Sequence, residues 1–335
     1  MNVMLLAAGE GTRLRPYTLI RPKPAIPFLN IPLASYSLAF LEDTRIDRLV
    51  VNTFHLPTKI VDLFIHMNHG ARRLHFSHEI HQLLGSGGGL GAARDYFKAT
   101  EDLILMNADE VILPLEKGII AKAIEQHQKN KAFCTLLTID HEGVGTQFGG
   151  VWVDHKNRVR GFGKKPPGIE CVKGEHFVGI QILSGKVFEY LPNGYPSNIL
   201  YDVVTRAIQD DLLIETYKIP CHWYETGNLQ DFLKATENVL NILTQPSHSY
   251  VQERLLQTLE KFSKEAPIIR SENGLLSLRT ASSVIENNVT LSGFAVLGPQ
   301  CKIKASSKLK NVVVADHVQI AEGTEAQDLI FLQNN

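Results

Sequence analysis

The chain has 335 residues, with 34 Lys and Arg against 35 Asp and Glu and a formal net charge of -1. That length supports one large domain or two ordinary ones around a sizeable core. The balanced charge excludes a nucleic-acid coat or a membrane-surface binder, either of which needs a basic excess.

From Met1 to about Thr226, apolar strand-like runs alternate with amphipathic stretches. Strands are predicted at Val3–Ala7, Leu49–Asn52, Leu74–Ser77, Leu103–Asn107, Phe133–Ile139, Gly150–Val153 and Phe177–Leu183. Leu33, Tyr36, Ser37, Phe40 and Leu41 share one helical face. The alternation predicts an α/β fold, a Rossmann-like mixed, mostly parallel sheet with ligands beyond the carboxyl ends of its strands. The start "MNVMLLAAGEG" lacks the basic segment of a signal peptide, and no stretch is long enough to span a membrane, so a cytoplasmic protein is expected. Cys134, Cys171, Cys221 and Cys301 form no CxxC pair and are read as reduced cysteines, neither a disulfide framework nor a zinc site.

Directly after the first strand stands "GEGTRLRP", Gly9 to Pro16. It fits neither GxGxxG nor a P-loop, yet its physics suits phosphate. Gly9 and Gly11 allow close approach of backbone N–H groups, Thr12 adds a hydroxyl donor, and Arg13 presents a planar fork of donors. Lys23, between Pro22 and Pro24, is a point charge on a stiff backbone. A solvated surface turn is the competing reading; the loop's place after the first strand of an α/β sheet favours an anion. Five histidines follow, His66, His69, His75, His78 and His81, without the ligand spacing of a zinc site, and they are read as surface or packing residues.

Leu229 to Phe262 reads as two helices broken by "TQPSHS". Beyond it Ile285, Leu291, Leu297, Ile303 and Leu309 recur every six residues; after a five-residue step the rhythm resumes at Val314 and Ile320. Such a repeat, with small residues nearby, predicts a short parallel β-helix of about three coils, near the minimum for a stable stack. The tail is therefore expected to lean on the first domain or on another subunit, giving a homo-oligomer in the second case. The predicted domains are 1–228, a helical connector 229–265, and the tail 266–335.

"LAAGEGTRLRPYT" followed by "RPKPAIPFLNIPL" resembles the signature of sugar-1-phosphate nucleotidylyltransferases. The likeness continues in order through "LLGSGGGL", "LILMNADE", "FGGVWVD", "GFGKKP", "FVGIQIL" and "WYETGNLQDFLKA". The resemblance implies a nucleotidyltransferase domain with a left-handed β-helix tail, taking an NTP and a sugar-1-phosphate as substrates and Mg²⁺ as cofactor. It implies that Leu6, Ala7, Ala8, Gly9, Gly11 and Thr12 cradle the nucleotide, that Arg13 and Lys23 serve the reacting phosphates, and that Gly85, Ser86 and Gly88 face the base. Gly149, Gly179 and Lys165 would meet the sugar phosphate. Asp109 would ligate the metal with Glu225, which stands where the family has an aspartate; a helix N-cap is the ordinary alternative for Asp109. Lys164 occupies a position where many relatives have a glutamate. "GSGGG" and the short "FVGI" element resemble both mannose-1-phosphate guanylyltransferases and UTP-dependent N-acetylmuramate-1-phosphate uridylyltransferases, and the tail tips the resemblance toward the mannose branch. A regulatory paralogue that binds nucleotide sugars is a second reading. A third, an acyltransferase tail using His317, is disfavoured by the shortness of the repeat.

Overall fold

The computed structural model describes residues 1–333 apart from Ile169 and Ser247. Ser247, in the predicted helix break, and Asn334 and Asn335, in the predicted tail, therefore lie outside the described residues. Two compact units emerge. The first comprises Met1–Gly9, Phe40–Ile65 and His69–Trp223; the second comprises Glu10–Ala39, His66–Asn68 and Tyr224 onward.

In the first unit, nine strands among the described residues form one sheet. They are β1 (Asn2–Leu6), β2 (Arg48–Thr53), β3 (Arg73–His78), β4 (Leu103–Asn107), β5 (Cys134–Ile139), β6 (Gly150–Val153), β7 (Val159–Gly163), β8 (Lys173–Leu183) and β9 (Ile214–Lys218). The path runs β7-β6-β8-β4-β1-β2-β3, with β5 also on β8 and β9 on β5. β1, β2, β3 and β4 are mutually parallel, as are β5 and β9, while β8 runs antiparallel to β4, β5 and β6. The sheet is thus mixed and mostly parallel, as the alternating pattern predicts. Its centre is apolar on both faces: Met4, Val50, Leu105 and Leu136 are buried in one cluster, and Leu5, Val51 and Met106 at the alternate positions are buried as well, each such side chain contributing about 1.5–3 kcal/mol over its exposed state.

All seven predicted strands occur, with ends shifted by no more than one residue except in β8. That strand begins four residues earlier, at Lys173, because its polar start is internally satisfied. Glu175 is buried, accepts from Thr138 Oγ1 at 2.6 Å and pairs with Lys173. The charged "KGEH" concealed the strand from a pattern of apolar residues. Strands β7 and β9 escaped prediction altogether, as did the Val111–Pro114 and Cys221–Tyr224 pair.

In the second unit, helices Leu229–Thr244 and Tyr250–Phe262 are capped by Asn228, which accepts from Asp231 N at 3.0 Å, and by Ser249, which accepts from Gln252 N at 3.4 Å. Phe28 packs edge-on against Tyr36 and Phe232. The C-terminal residues form parallel ladders whose rows follow the predicted repeat: Ile285, Ile303 and Ile320 stack in one, Leu291, Leu309 and Ala326 in another, and Leu297, Val314 and Phe331 in a third. The five-residue step has a structural counterpart. The register between Thr290–Leu297 and Lys308–Val314 shifts between Ser292 and Ala295, where one strand carries an extra residue. Corners between rows take left-handed backbone at Gly293, Asn311 and Asp328; Asn311 Nδ2 donates to Asp328 Oδ1 at 2.8 Å. The segment Glu10–Ala39 packs with these ladders: Asn30 Nδ2 donates to Leu297 O at 2.7 Å, and Arg21 lies 3.8 Å from Asp316. No helix among the described residues is long and apolar enough to cross a membrane.

Candidate active site

Parallel pairing brings several predicted residues out of the sheet side by side. Leu6 on β1 is in register with both Asn52 on β2 and Asn107 on β4. Ala7–Gly9 and Ala108–Asp109 therefore leave adjacent strand ends, joined by Ala108 N donating to Leu6 O at 3.1 Å. The carboxyl edge of such a sheet is where ligands collect. Asn52, buried at that edge, accepts from Ala7 N at 2.7 Å and donates through Nδ2 to Glu79 Oε1 at 2.7 Å; Glu79 Oε2 accepts from Leu84 N at 2.7 Å. Burial pushes the Glu79 carboxyl above its ordinary range, and those two hydrogen bonds oppose the shift.

The glycine run that a flexible loop would explain is a helix, Gly85–Ala92. Its glycines serve close packing. A Cβ on Gly88 would stand 2.5 Å from Tyr195 O, and one on Gly89 would stand 2.8 Å from Asn52 Nδ2 and 2.9 Å from Glu79 Oε1. The N–H groups of Gly87 and Gly88 donate to Ser197 O at 2.8 and 3.2 Å, and Ser86 Oγ accepts from Ile199 N at 2.9 Å. These groups are thus engaged with residues 197–199, at the start of the π-helical stretch Ile199–Val204.

Gly179 sits where β8 changes partners. The β8–β5 register shifts between Phe177 and Gln181, and Gly179 has φ of 82°, a bulge of the kind that re-aims side chains beside active sites. A Cβ there would lie 2.6 Å from Glu110 Oε1; one on Gly149 would lie 3.2 Å from the Tyr201 hydroxyl. Glu110 is held by Asn107 Nδ2 at 2.8 Å and by Trp223 Nε1 at 3.0 Å. Trp223 packs at a tilt against His176, ring centroids 4.2 Å apart, and Phe148 and His141 complete an aromatic cluster. His176 is buried, neither ring nitrogen has a hydrogen-bond partner among the described residues, and burial, with His141 nearby, pushes its pKa down to about 4. Lys164 and Lys165 are both exposed.

The second unit gathers the remaining predicted residues. Gly11 has φ of 60°, and a Cβ on it would lie 2.8 Å from Thr18 Cγ2 and 3.4 Å from Lys23 Cβ. Thr12 and Arg13 begin the short turn that follows. Arg13 Nη2 lies 3.6 Å from Glu225 Oε1, and a Cβ on Gly227 would stand 2.5 Å from Arg13 Nη2. Arg13 is itself mostly exposed. His317 is an exposed corner residue with left-handed backbone. Of the five clustered histidines, His78 is bonded to Thr53 at 2.7 Å, His69 accepts from Ala71 N at 3.0 Å, and His75 packs on Tyr96.

Asn52, Glu79, Glu110, Tyr201, Trp223 and Gly227 were not picked out from the sequence. Asn52 carried a usable signal: "LVVN", like "LILMN", is an apolar strand run closed by asparagine, which puts a polar side chain at the ligand-facing edge. Glu110 directly follows Asp109 in the quoted "NADE".

These features describe an α/β enzyme whose polar groups converge on the carboxyl edge of parallel strands. A model of the Nucleotidyl transferase family matches residues 2–242, and the chain belongs to that family. It is 25% identical to the UTP–glucose-1-phosphate uridylyltransferase of Synechocystis sp., over 99% of this chain and 87% of that protein. It is 23% identical to the mannose-1-phosphate guanylyltransferase of Mycobacterium tuberculosis, over 96% of this chain and 82% of that one. The solved UDP-glucose pyrophosphorylase from Acinetobacter baumanii shares the fold, with a TM-score of 0.61 over 78% of this chain and 98% of its own, at 18% identity.

Proposed function

We propose that this protein transfers a nucleotidyl group from an NTP to a sugar-1-phosphate, releasing pyrophosphate, with GTP and mannose-1-phosphate as the leading pair. The observation that carries the reading is the emergence of Ala7–Gly9 and Asp109 from neighbouring strand ends in a chain of this family. A phosphate oxygen of the sugar phosphate attacks the α-phosphorus, the α–β bridging bond breaks, and pyrophosphate departs with its electrons. The attacking oxygen is already ionised at neutral pH, so no general base is needed. The demand is to hold two anions in line while charge is neutralised.

In this reading Leu6–Gly9, Gly11 and Thr12 cradle the triphosphate, Arg13 holds the departing phosphates and Lys23 meets the reacting ones. Gly85, Ser86 and Gly88 border the base, with Gly149, Gly179 and Lys165 on the sugar-phosphate side. The donor chemistry fits Mg²⁺ better than a fully caged ion. Asp109 and Glu225 offer hard carboxylate oxygens, and no group of three or more His, Cys, Asp or Glu among the described residues could hold a metal by itself. Bound by Asp109 with Glu225 and the substrate phosphates, Mg²⁺ would neutralise their charge. The functional division is a catalytic domain 1–228, a connector 229–265 and a tail 266–335. In this reading the stacked ladders form a short left-handed β-helix, suited to contact with a second copy, and a cytosolic location goes with this chemistry.

The Arg13–Glu225 pair favours a second reading, a paralogue that binds nucleotide sugars with little turnover, because it engages the residue meant for the leaving phosphates. Pyrophosphate release with Mg²⁺ decides between them. GTP, UTP, ATP and dTTP are crossed with the 1-phosphates of mannose, glucose, N-acetylglucosamine and N-acetylmuramate. One productive pair establishes the transferase and names its substrates; silence with nucleotide sugar still bound establishes the paralogue.

A further inference from the structure

We propose that the C-terminal tail positions the phosphate-binding loop, with Asp316 acting through Arg21, and the Ile330 amide through Tyr17, to fix where Lys23 and Arg13 stand. The inference rests on the transferase reading, which gives Lys23 and Arg13 to the phosphates.

The stretch Glu10–Ala39 belongs with the tail in one compact unit. Its second half holds itself by burial: Ile26, Phe28, Leu29 and Ile31 are fully buried. The half that carries Arg13 and Lys23 has less of this. Its helical pieces, Thr12–Leu14, Tyr17–Ile20 and Lys23–Ala25, are about one turn each, and so short a helix does not hold its own shape in water. The tail supplies anchors instead, on neighbouring strands. Asn30 Nδ2 donates to Leu297 O at 2.7 Å, at the end of the strand Thr290–Leu297. Arg21 Nη1 lies 3.8 Å from Asp316 Oδ1, just beyond the strand Lys308–Val314. Ile330 N, in the strand Glu325–Phe331, donates to the Tyr17 hydroxyl at 3.4 Å. These strands pair in parallel, one beside the next, so the anchors cover about 10 Å of the stack.

Asp316 is held rigidly. On either side of it Ala315 N donates to Phe331 O at 2.8 Å and His317 N to Pro299 O at 2.9 Å. Its mostly buried carboxylate lies between Arg21 and Lys264, whose Nζ donates to Oδ2 at 2.5 Å. Burial pushes that carboxyl up, but Lys264, Arg21 and His317 together hold it below its ordinary range. From Arg21 the constraint has two residues to travel. Pro22 and Pro24 are both buried and flank Lys23, so the backbone between Arg21 and Lys23 has little freedom. Tyr17 acts on the glycine turn: its neighbour Thr18 donates from Oγ1 to Gly11 O at 3.0 Å, two residues before Arg13.

The test is a double-mutant cycle on the full chain, read in two ways: pyrophosphate release with the productive substrate pair, and calorimetric binding of a non-hydrolysable NTP analogue with Mg²⁺. D316N is expected to lower kcat and to weaken the analogue, each by about 3- to 30-fold, and D316E to restore most of both. In a K23A background D316N should change either by less than about twofold, because its effect passes through Lys23. K264M breaks the other pair on the same carboxylate and should leave both readouts at the wild-type level. If D316N does not fold, Y17F removes a single hydroxyl and carries the same cycle with R13A. I303A, inside the stack, separates positioning from loss of stability: D316N and I303A proteins of matched melting temperature with equal losses of kcat overturn the proposal. D316N at the wild-type level overturns it too. Turnover with additive effects in the cycle sinks the link between tail and loop alone. Non-additive binding without turnover for any substrate pair supports the link and sinks the transferase reading, and a wild type that neither binds the analogue nor turns over sinks both.

Discussion

The C-terminal ladders and the carboxyl edge of the main sheet are both built from short strands, and they treat buried positions in opposite ways. In the ladders, rows such as Ile285, Ile303 and Ile320 repeat one kind of side chain, and most left-handed positions fall to Gly, Asn or Asp, with Gln300, Ser306 and His317 as exceptions. Local preference and global fold agree. At the sheet edge, Glu79, Asn52 and His176 are buried, and a helix is made from consecutive glycines. Natural chains depart from local consistency at functional sites, where the departure is offset elsewhere. The contrast points to function at the sheet edge and to stability in the ladders.

The largest expected effect breaks the comparison from the functional side. Lys23→Ala should lower kcat by about 10²-fold or more while the unfolding free energy changes by less than about 1 kcal/mol. Steady-state pyrophosphate release and a melt on the same preparation check it, and full turnover would remove Lys23 from the chemistry. On the structural side, Ile303 is fully buried between Ile285 and Ile320. Ile303→Ala should cost about 2–4 kcal/mol in denaturant unfolding, with kcat of the folded fraction unchanged. Gly179→Ala should do both at once. Its φ of 82° and its closeness to Glu110 predict a loss of about 1–3 kcal/mol and a raised KM for the sugar phosphate, with KM for the NTP unaltered.

The smallest effects sharpen the contrast through pH. The folded protein keeps His176 neutral down to about pH 4, whereas an unfolded histidine protonates near 6.5. Unfolding therefore takes up a proton between those values, and stability falls as pH drops through that window, by about 3 kcal/mol at its lower end. His176→Phe should flatten that arm of the stability curve. Glu79 acts in the opposite sense. Its folded pKa is raised, so the folded state holds the proton longer and stability falls as pH rises from the ordinary glutamate value of about 4.3. Glu79→Gln should remove this shallower slope. Urea melts at stepped pH would separate the two, and a slope untouched by either variant would show that the burial of these groups does not govern it.

Much of the fold was legible because its signals are local. Apolar runs such as "LILMN" mark central parallel strands, and the six-residue rhythm marks the ladder rows, even registering the five-residue step as a shift in pairing. The strands that escaped notice, Val159–Gly163 and Ile214–Lys218, are short and interrupted by charged or polar residues whose burial depends on partners elsewhere in the chain. Glu175 makes the point: it reads as a loop residue until Thr138 and Lys173 are known to satisfy it. In the candidate site, Arg13, Lys23, Asp109 and the glycines stood out by residue type and order. Asn52, Glu79, Glu110 and Trp223 did not, since their parts follow from which side chains face them.

The sequence by itself determined that this is an α/β chain with a repeating tail and a cationic glycine loop after its first strand, because periodicity and residue chemistry are written along the chain. Only the tertiary structure decided that a glycine run is a packed helix and not a loose loop, that Asn52 and Glu79 tie Ala7 to Leu84, and that a bulge at Gly179 presents Glu110. Those facts depend on distances between residues far apart in sequence, set by strand register and by burial.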